Sequence, residues 1–522
     1  MRINDNKLPE KTPNPSVSHA KTCREEVGIK EPRDTVEKSR SEIHNLTILH
    51  TNDMHGHAEA FINKEVSDDE IGGLSHLGSA IEKERGKDPE NTLLLDAGDI
   101  SSGGPVSDFY EAIPMVDAMN QIGYDAMTVG NHDLDLGRLA LENIAERARF
   151  PILSANLIDK TPGDLKKVKP YMFKQVGDLK VGILGLTTPD TATMLVKEDR
   201  DKIAFASVEA TAKKHIPEMR DDGADLIVVL SHLGIEKDRE LAGKVDGIDV
   251  IVGGHSHTEM KKFEEVNGTV ITQAGGFSMN LGKLDLDVEK TDGKARVVGV
   301  KSKLIPINKD IKPDREVEKI IKAYADKLAP IMERVVGRTE TSLTQRDYHI
   351  YKEESVLANF ATDAIRKKTG ADFCILSPSC LRCNINEGEI KVEDIHKVFP
   401  WKNKISIVEM KGKDIKNLME EMLSGPANGL AISGMKLEQD LSKSQGEQIV
   451  RAKTLDGESL DPEKTYTVAT RDWFADGNVA LRSFEKAISR RETEALRDIL
   501  INEIEEQEVL NVQKDGRIIN LT

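Results

Sequence analysis

Residues 46–57 read LTILHTNDMHGH, an apolar run that passes directly into a cluster of polar residues. Four more runs end in the same way: TLLLD before Ala97-Gly98-Asp99, AMTV before Gly130-Asn131-His132-Asp133, LIVVL before Ser231-His232, and VIVGG before His255-Ser256-His257. Each apolar run has the length and composition of a buried strand, and longer amphipathic stretches lie between the runs. From about residue 46 to residue 304 the sequence therefore predicts a layered α/β fold.

The polar residues at the ends of these five runs predict a common site. In layered α/β folds, ligands bind at the carboxyl ends of the strands, because the strands hold the following loops rigidly. The alternative interpretation is that polar residues simply end each strand at solvent. Solvent-exposed ends would favour Lys, Ser and Gly, whereas Asp, Asn or His follows each run here. We therefore predict one site assembled from five loops.

The residue types in these loops are those that bind divalent metal ions. Carboxylate oxygens, amide oxygens and imidazole nitrogens bind such ions, and two ions close together need a shared carboxylate. Asp53 and His55 are alternate residues at a strand end, so both can point toward one ion. Asp99, which follows Gly98, is the natural bridging carboxylate. The predicted metal ligands are Asp53, His55, Asp99, Asn131, His232, His255 and His257.

The segments TNDMHGH, LLDAGD, VGNHDLD, SHLG and GGHSHT resemble, in order and spacing, the signature of the calcineurin-like metallophosphoesterase superfamily. ILHTNDMHGH together with GGHSHT is similar to the bifunctional metallophosphatase/5′-nucleotidase family, which includes 5′-nucleotidases and 2′,3′-cyclic-nucleotide 2′-phosphodiesterases. The resemblance implies two divalent ions, with zinc and manganese as the expected metals. It assigns Asp53, His55, Asp99 and His257 to one ion, and Asp99, Asn131, His232 and His255 to the other.

The resemblance also implies that His132 and Asp135 form a catalytic pair. An imidazole held by a carboxylate can stay protonated, stabilise charge on the transferring phosphoryl group and donate its proton to the leaving oxygen. The expected reaction is attack of a metal-bridging hydroxide on phosphorus, in line with that oxygen. Asp133 stands where the family usually has Glu, a change we expect to be tolerated. We interpret His76, which has no such neighbours, as structural.

The chain divides into four predicted segments. These are a disordered N-terminal tail (1–41), a metallophosphoesterase catalytic domain (42–308), a linker helix (309–340) and a smaller α/β substrate-binding domain (341–522). The resemblance implies that the catalytic domain is a four-layer α/β/β/α sandwich. In the linker, Val317, Ile321 and Leu328 recur at helical spacing, and Pro330 is expected to kink or break the helix.

The C-terminal segment resembles, more distantly, the nucleotide-recognition domain of the same family. There, two aromatic rings hold the base between them, and each stacking contact contributes at most a few kcal/mol. The matching positions imply that the substrate-binding residues are Arg382, Trp401, Asn403 and Trp473. Trp401 and Trp473 are the only two tryptophans of the chain. The alternative is that both are packed in the core.

Several positions depart from the family pattern. Residues 377–380, SPSC, replace an Asn and glycines, Val479 replaces the sugar-binding Asp, and Glu353 stands where an Arg is usual. We therefore expect hydrolysis of a 5′-nucleotide or 2′,3′-cyclic nucleotide, with another small phosphate or sulfate ester as the alternative. A catalytically silent binding protein is the third interpretation. Retention of all seven ligand positions, and of His132 and Asp135, argues against it.

The composition of the chain argues against some other classes of protein. The 522 residues include 73 basic and 90 acidic residues, a net charge of −17, which disfavours a nucleic-acid polymer as the partner. No apolar run reaches the roughly 18 residues of a membrane span, and the start of the chain has no secretory signal pattern. We expect a cytoplasmic enzyme with a small-molecule substrate and no membrane partner. The family resemblance implies an exported location as the alternative. The sequence does not specify an oligomeric state.

The chain has only four cysteines, too few for a disulfide framework in a chain of this length. Cys380 and Cys383 have the spacing of a redox or zinc pair, but no second pair or nearby His completes such a site. We expect reduced thiols.

Overall fold

The computed structural model describes residues 41–521 apart from 63–65, 68, 162–164, 292, 345–352, 400–402, 425–428 and 476–480. The predicted N-terminal tail lies outside the described residues, except for Ser41.

The N-terminal domain alternates strands and helices. In chain order its elements are β1 (Glu42–Thr51), β2 (Phe61–Ile62), β3 (Glu70–Ile71), α1 (Leu74–Arg85), β4 (Thr92–Asp96), α2 (Pro105–Phe109), α3 (Ile113–Ile122), β5 (Ala126–Thr128), α4 (Arg138–Arg147), β6 (Ile152–Leu153), β7 (Leu157–Asp159), β8 (Val168–Lys169), β9 (Tyr171–Val176), β10 (Leu179–Thr187), β11 (Ile203–Phe205), α5 (Val208–Asp221), β12 (Leu226–His232), α6 (Ile235–Lys244), β13 (Val250–Gly253), β14 (Glu264–Val266), β15 (Thr269–Thr272), β16 (Asn280–Thr291) and β17 (Lys294–Pro306).

These strands form two main sheets. One has seven strands in the order β17-β16-β1-β4-β5-β6-β8, and the other has six in the order β14-β15-β13-β12-β10-β9. Strands β1, β4, β5, β6 and β8 run parallel, as do β10, β12, β13 and β15. The carboxyl ends of the parallel strands therefore collect at one edge of each sheet.

Alternate residues of the strands enter different cores, as the two-residue period of a strand requires. Ile48 of β1 packs between the two sheets together with Leu230 of β12. Leu49 packs on the outer face of the first sheet with helix residues such as Leu77 of α1. Ile227 of β12 packs on the outer face of the second sheet with α5 and α6. The domain is therefore the four-layer α/β/β/α sandwich that was predicted.

Helix α7 (Arg315–Met332) connects the two domains. The Asp314 side chain caps its first turn by accepting hydrogen bonds from the backbone N–H groups of Glu316 and Val317. Val317 packs in the core of the N-terminal domain, whereas Leu328 packs in the core of the C-terminal domain. One amphipathic helix thus contributes to both cores.

Of the two effects predicted for Pro330, a kink or a break, the break was wrong. Pro330 lies inside α7, which continues to Met332. Proline has no backbone N–H group, so one hydrogen bond of the helix is lost. Pro330 lies close to the C-terminal end of α7, so few helical residues follow it.

The C-terminal domain has its own sheets and helices. In chain order its elements are β18 (Val335–Thr339), α8 (Val356–Thr369), β19 (Phe373–Leu376), β20 (Gly388–Lys391), α9 (Val392–Val398), β21 (Lys404–Lys411), α10 (Gly412–Ser424), β22 (Ala431–Ser433), β23 (Met435–Gln439), β24 (Ile449–Thr454), β25 (Thr465–Arg471), α11 (Asp472–Ala475), β26 (Ser489–Ala495), α12 (Leu496–Gln507), β27 (Val509–Leu510) and β28 (Ile518–Asn520).

The main sheet of this domain has five strands in the order β22-β19-β25-β21-β26. Helices α8, α9 and α12 pack in one core, and α10 packs in another. The fold class, an α/β sandwich with a linker helix and a second α/β domain, is therefore confirmed. The exact domain limits stay predictions. Among the helices of the described residues, none combines the length and apolarity that a membrane span needs.

Candidate metal centre and substrate pocket

The loops that follow β1, β4, β5, β12 and β13 meet at the edge where the carboxyl ends of both sheets lie. They bring together all seven predicted metal ligands, in two groups. The two groups of side chains that could hold an ion are Asp53, His55 and His257, and Asp99, His232 and His255, and within each group the potential ligand atoms all lie within 4.8 Å of one another.

The first group is formed by the loops after β1 and β13. The Nε2 atoms of His55 and His257 are 3.0 Å apart, and Oδ1 of Asp53 is 3.4 Å from Nε2 of His257. Asp53 is buried, whereas the side chain of His257 is 36% exposed. This group therefore lies closer to solvent on the His257 side.

The second group includes the amide of Asn131. Its Oδ1 atom is 3.0 Å from Nε2 of His232 and 2.7 Å from Nδ1 of His255. Oδ2 of Asp99 lies 3.1 Å from Nε2 of His232. The carbonyl of Ala97 accepts a 2.7 Å hydrogen bond from Nδ1 of His232, which directs Nε2 toward the group.

Asp99 lies between the two groups. Its Oδ2 atom is 3.9 Å from Nε2 of His55 as well as 3.1 Å from Nε2 of His232. Burial lowers the pKa values of His55 and His255 to about 4, so these imidazoles are neutral, the form that binds metals. Carboxylate, amide and imidazole donors in this arrangement fit a pair of divalent ions.

The backbone is strained at several of the predicted ligands. Five of them have positive φ angles: Asp53 (51°), His55 (46°), Asp99 (58°), His255 (72°) and His257 (50°). For a residue with a side chain this conformation costs about 1–2 kcal/mol. This backbone conformation turns the side chains of neighbouring predicted ligands toward the same site.

Asp133 organises the loop that carries Asp99. Its Oδ2 atom accepts hydrogen bonds from the backbone N–H groups of Asp99 (3.0 Å) and Gly130 (2.8 Å). Its Oδ1 atom accepts from the N–H groups of Ile100 (3.1 Å) and Ser101 (3.2 Å), and from Oγ of Ser101 (3.0 Å). The sequence indicated only that Asp at this position is tolerated. The structure gives it a positioning role.

Two buried side-chain amides hold the other loops that carry predicted ligands. Nδ2 of Asn52 donates a 2.7 Å hydrogen bond to Oδ2 of Asp53. Nε2 of Gln273 donates to the carbonyl of Gly254 at 2.8 Å, and its Oε1 accepts from Oγ of Ser256 at 3.0 Å. Gln273 therefore holds the loop that carries His255 and His257. Neither role could be predicted from the sequence, because a lone amide residue carries no motif.

His132 and Asp135 form the predicted pair. Nδ1 of His132 lies 2.7 Å from Oδ2 of Asp135, and both side chains are partly exposed. Burial acts to lower the pKa of His132, but the charges of Asp135 and Asp99 raise it to about 10. Nδ1 is engaged by the carboxylate, which leaves Nε2 as the atom available to a substrate.

A cavity of about 490 Å³ extends from this pair to the C-terminal domain. His132 and Asp135 line one side, and Arg382, Asn403 and Trp473 line the other. The structure thus brings three of the four predicted substrate residues to the same cavity as the predicted catalytic pair.

Trp401, the fourth predicted substrate residue, lies outside the described residues, as does Val479. Residues Pro378–Cys380 form a single 3₁₀ turn, and Ser379 lines the cavity. Cys380 and Cys383 are free thiols in the described part of the chain. The buried Cys380 thiol donates to the carbonyl of Ser377 at 2.8 Å.

Two arginines that the sequence did not single out also line the cavity. Arg471 ends β25, and Arg490 lies in β26. They are 19 residues apart in the sequence, and β21 lies between their strands in the sheet. Only the strand order brings the two side chains to one wall, so local motifs could not have identified them.

Two family descriptions match this chain. Residues 46–259 match the calcineurin-like phosphoesterase family, and residues 335–486 match the 5′-nucleotidase C-terminal domain.

Relatives and solved structures extend these matches over most of the chain. The trifunctional nucleotide phosphoesterase protein YfkN of Bacillus subtilis (strain 168) is 29% identical over 492 residues, which are 85% of this chain but only 32% of that protein. Snake venom 5′-nucleotidase of Naja atra is 29% identical over 482 residues, 83% of this chain and 90% of that protein. The crystal structure of a 5′-nucleotidase precursor from Thermus thermophilus has a TM-score of 0.76 at 28% identity, and the match covers 92% of this chain and 100% of that chain.

The sandwich and its ligand groups, together with these matches, define a metal-dependent phosphoric ester hydrolase. Since a 5′-nucleotidase C-terminal domain follows the calcineurin-like domain in the same chain, the protein belongs to the 5′-nucleotidase family.

Proposed function

We propose that this enzyme hydrolyses 5′-nucleotides, or 2′,3′-cyclic nucleotides, at a centre of two divalent metal ions, zinc or manganese. The observation that supports the proposal most is the position of Asp99. Its Oδ2 atom approaches both ligand groups, and the loop it lies on is held by Asp133. The His132–Asp135 pair lines the same cavity as Trp473.

In this proposal each residue of the centre has a defined role. One ion would be held by Asp53, His55, Asp99 and His257, and the other by Asp99, Asn131, His232 and His255. When bound, two such cations lower the pKa of water and neutralise negative charge on the phosphoryl group.

The His132 side chain would act on the substrate directly. Asp135 orients the ring through the 2.7 Å contact at Nδ1, so that Nε2 can donate a hydrogen bond to a phosphoryl oxygen. The same atom can give a proton to the leaving oxygen as its bond to phosphorus breaks.

The C-terminal wall would bind the rest of the nucleotide. Trp473 is partly buried and offers a flat surface for stacking, with Trp401 proposed as the second ring. Arg382 would contact phosphate or base. Asn403 already accepts a hydrogen bond from Arg471 and donates one to Asp472, so its remaining donor and acceptor capacity would serve the base.

The decisive experiment measures release of inorganic phosphate. The purified enzyme is treated with a chelator, supplied with manganese or zinc, and tested on 5′-mononucleotides, 2′,3′-cyclic nucleotides and a small aryl phosphate. We expect no turnover after chelation and recovery with metal. No release from any nucleotide, with active turnover of the aryl phosphate, would refute the proposed substrate.

The variant Asp99→Asn tests the bridge. A neutral amide cannot balance two cations, so we expect fewer than two ions per chain by elemental analysis and loss of turnover. Asp178→Asn, at a side chain that is 86% exposed, is the matched control. Two bound ions with full turnover in Asp99→Asn would show that Asp99 does not bridge.

A further inference from the structure

We propose that Phe277 is a positioning residue of the candidate metal centre, and that it holds the first group of predicted ligands in the arrangement that binds an ion. This group consists of Asp53, His55 and His257. Phe277 lies in the loop between β15 and β16, residues 273–279. The inference rests on the proposed two-ion centre and adds to it a residue that provides no ligand atom itself.

The ring of Phe277 lies against both imidazoles of the first group. Its centre is 5.0 Å from that of His257, with the two planes at 83°, and 5.6 Å from that of His55, with the planes at 38°. Aromatic rings attract one another at centre-to-centre distances of about 4.5–7 Å. The two imidazoles are themselves 4.9 Å apart, so one ring restricts the rotation of both.

The backbone of the same residue holds the third member of the group. The N–H group of Phe277 donates a 2.7 Å hydrogen bond to the backbone carbonyl of Asp53. The next residue adds a second connection, because Oγ of Ser278 donates to the backbone carbonyl of His57 at 3.2 Å. The loop is therefore joined to the segment that carries Asp53 and His55 at two points. Phe277 itself contacts all three predicted ligands, one through its backbone and two through its ring.

The backbone conformation of Phe277 also indicates a role at the site. Its φ angle is 58°, and that of Ser278 is 56°. A bulky residue adopts this left-handed conformation at a cost that glycine would not have. Such conformations persist where the surroundings hold them, and they cluster at functional sites. Phe277 is not among the side chains of the hydrophobic cores in the described part of the chain, so core packing does not explain its ring.

The first group needs such support more than the second group does. The side chain of His257 is 36% exposed, whereas that of His232 in the second group is fully buried. An exposed imidazole can turn into solvent, and contacts outside the ligand set keep it in the orientation that binds metal. The Nδ1 atom of His232 is already held by the carbonyl of Ala97. Loss of the Phe277 ring should therefore weaken one ion and leave the other almost unchanged.

The test is a titration of the full chain with manganese alone after metal has been removed by a chelator. Calorimetry gives the two affinities, and elemental analysis gives the number of ions per chain. Phe277→Leu removes the ring and keeps an apolar side chain, whereas Phe277→Tyr keeps the ring. Phe61→Leu is the matched control. The Phe61 ring lies 4.4 Å from the ring of His57, which also contacts Phe277, but His57 is not a predicted ligand.

We expect two ions with the same pair of affinities in the wild type, in Phe277→Tyr and in Phe61→Leu. In Phe277→Leu one ion should keep its affinity, and the other should bind roughly 10–100-fold more weakly, as is typical when a contact that orients a metal ligand is lost. Turnover of a small aryl phosphate by this variant should need correspondingly more manganese and should approach the wild-type kcat at saturation. A merely structural role would weaken both ions alike.

A measurement on the wild type makes the test independent of how well Phe277→Leu folds. With 4-fluorophenylalanine incorporated, the ¹⁹F resonance of Phe277 is assigned from its absence in Phe277→Tyr, and that of Phe61 from Phe61→Leu. The Phe277 resonance should shift in the titration step that fills the weaker site, because the imidazoles against its ring then bind a cation. The Phe61 resonance should shift much less.

Three results would overturn the inference while leaving the two-ion centre intact. These are unchanged affinities in Phe277→Leu, an equal loss of affinity for both ions in that variant, and a Phe277 resonance that does not move in either titration step. The same loss in Phe61→Leu as in Phe277→Leu would also overturn it. If the wild type binds fewer than two ions per chain, the proposed centre itself fails, and the inference fails with it.

Discussion

Replacing Asp133 by Asn tests whether the loop that carries Asp99 is held by a carboxylate. Asp133 is 1% exposed, and its two oxygens accept four backbone N–H groups, two on each oxygen. In Asn one oxygen becomes an NH₂ group, which cannot accept. Two buried N–H groups then lose their partner, whichever way the amide is turned.

The expected cost follows from that count. A buried backbone N–H group left without an acceptor costs about 1–3 kcal/mol, so two of them predict a loss of roughly 2–6 kcal/mol in the free energy of unfolding. The same change loosens the segment 97–101 that positions Asp99. Residues that orient metal ligands typically affect metal affinity by about 10–100-fold.

Three measurements check this prediction. Denaturant unfolding gives the change in stability, hydrogen–deuterium exchange reports on the peptide that covers residues 97–101, and a metal titration gives the affinity. Asp178→Asn is the control, and a change at such an exposed position should stay within about 0.5 kcal/mol. Unchanged exchange in residues 97–101, with wild-type stability, would refute the positioning role of Asp133.

Three further changes separate chemistry, recognition and pH dependence. His132→Ala should keep its metal content but lose turnover by about 10²–10⁴-fold, and an unchanged rate on a substrate with a poor leaving group would remove His132 from the mechanism. Trp473→Ala should weaken nucleotide binding by about 1–3 kcal/mol and leave the aryl phosphate nearly unaffected, whereas equal loss on both substrates would mean that the ring only packs the core. Burial raises the pKa of Asp238 from 3.8 to about 7, so the stability tied to its proton is present below pH 3.8 and lost as the pH rises through 7. Asp238→Asn should therefore gain in melting temperature relative to the wild type between pH 5 and pH 8, and parallel curves would contradict this assignment.

The sequence was sufficient to predict the N-terminal fold and which candidate ligand side chains that fold brings together. Short apolar runs ended in Asp, Asn or His, and in the structure those runs are β1, β4, β5, β12 and β13. The strand period explains why this worked: Ile48 and Leu49 already indicate a strand with two covered faces. The meeting of the expected ligands at one edge could therefore be predicted without knowing the order of the strands in the sheets.

Other parts of the site could not be read in this way. Asp133 acts through backbone N–H groups that no side-chain pattern reveals. Gln273 lies 16 residues beyond His257, yet it holds the loop that carries this predicted ligand. The wall with Arg471 and Arg490 depends on the order of strands in the second domain. Contacts of this kind arise only from tertiary packing, so a single sequence carries too little information to predict them.

The left-handed backbone at five of the proposed ligands means that selection for heat resistance and selection for turnover favour different residues at these positions. At those positions glycine would relax the chain, but it would leave no donor atom. A descendant that no longer needs the reaction could therefore become more heat-resistant by substitutions at the very residues that carried it. A descendant that keeps the reaction must obtain extra stability elsewhere, for example in helix caps or on exposed sheet surfaces.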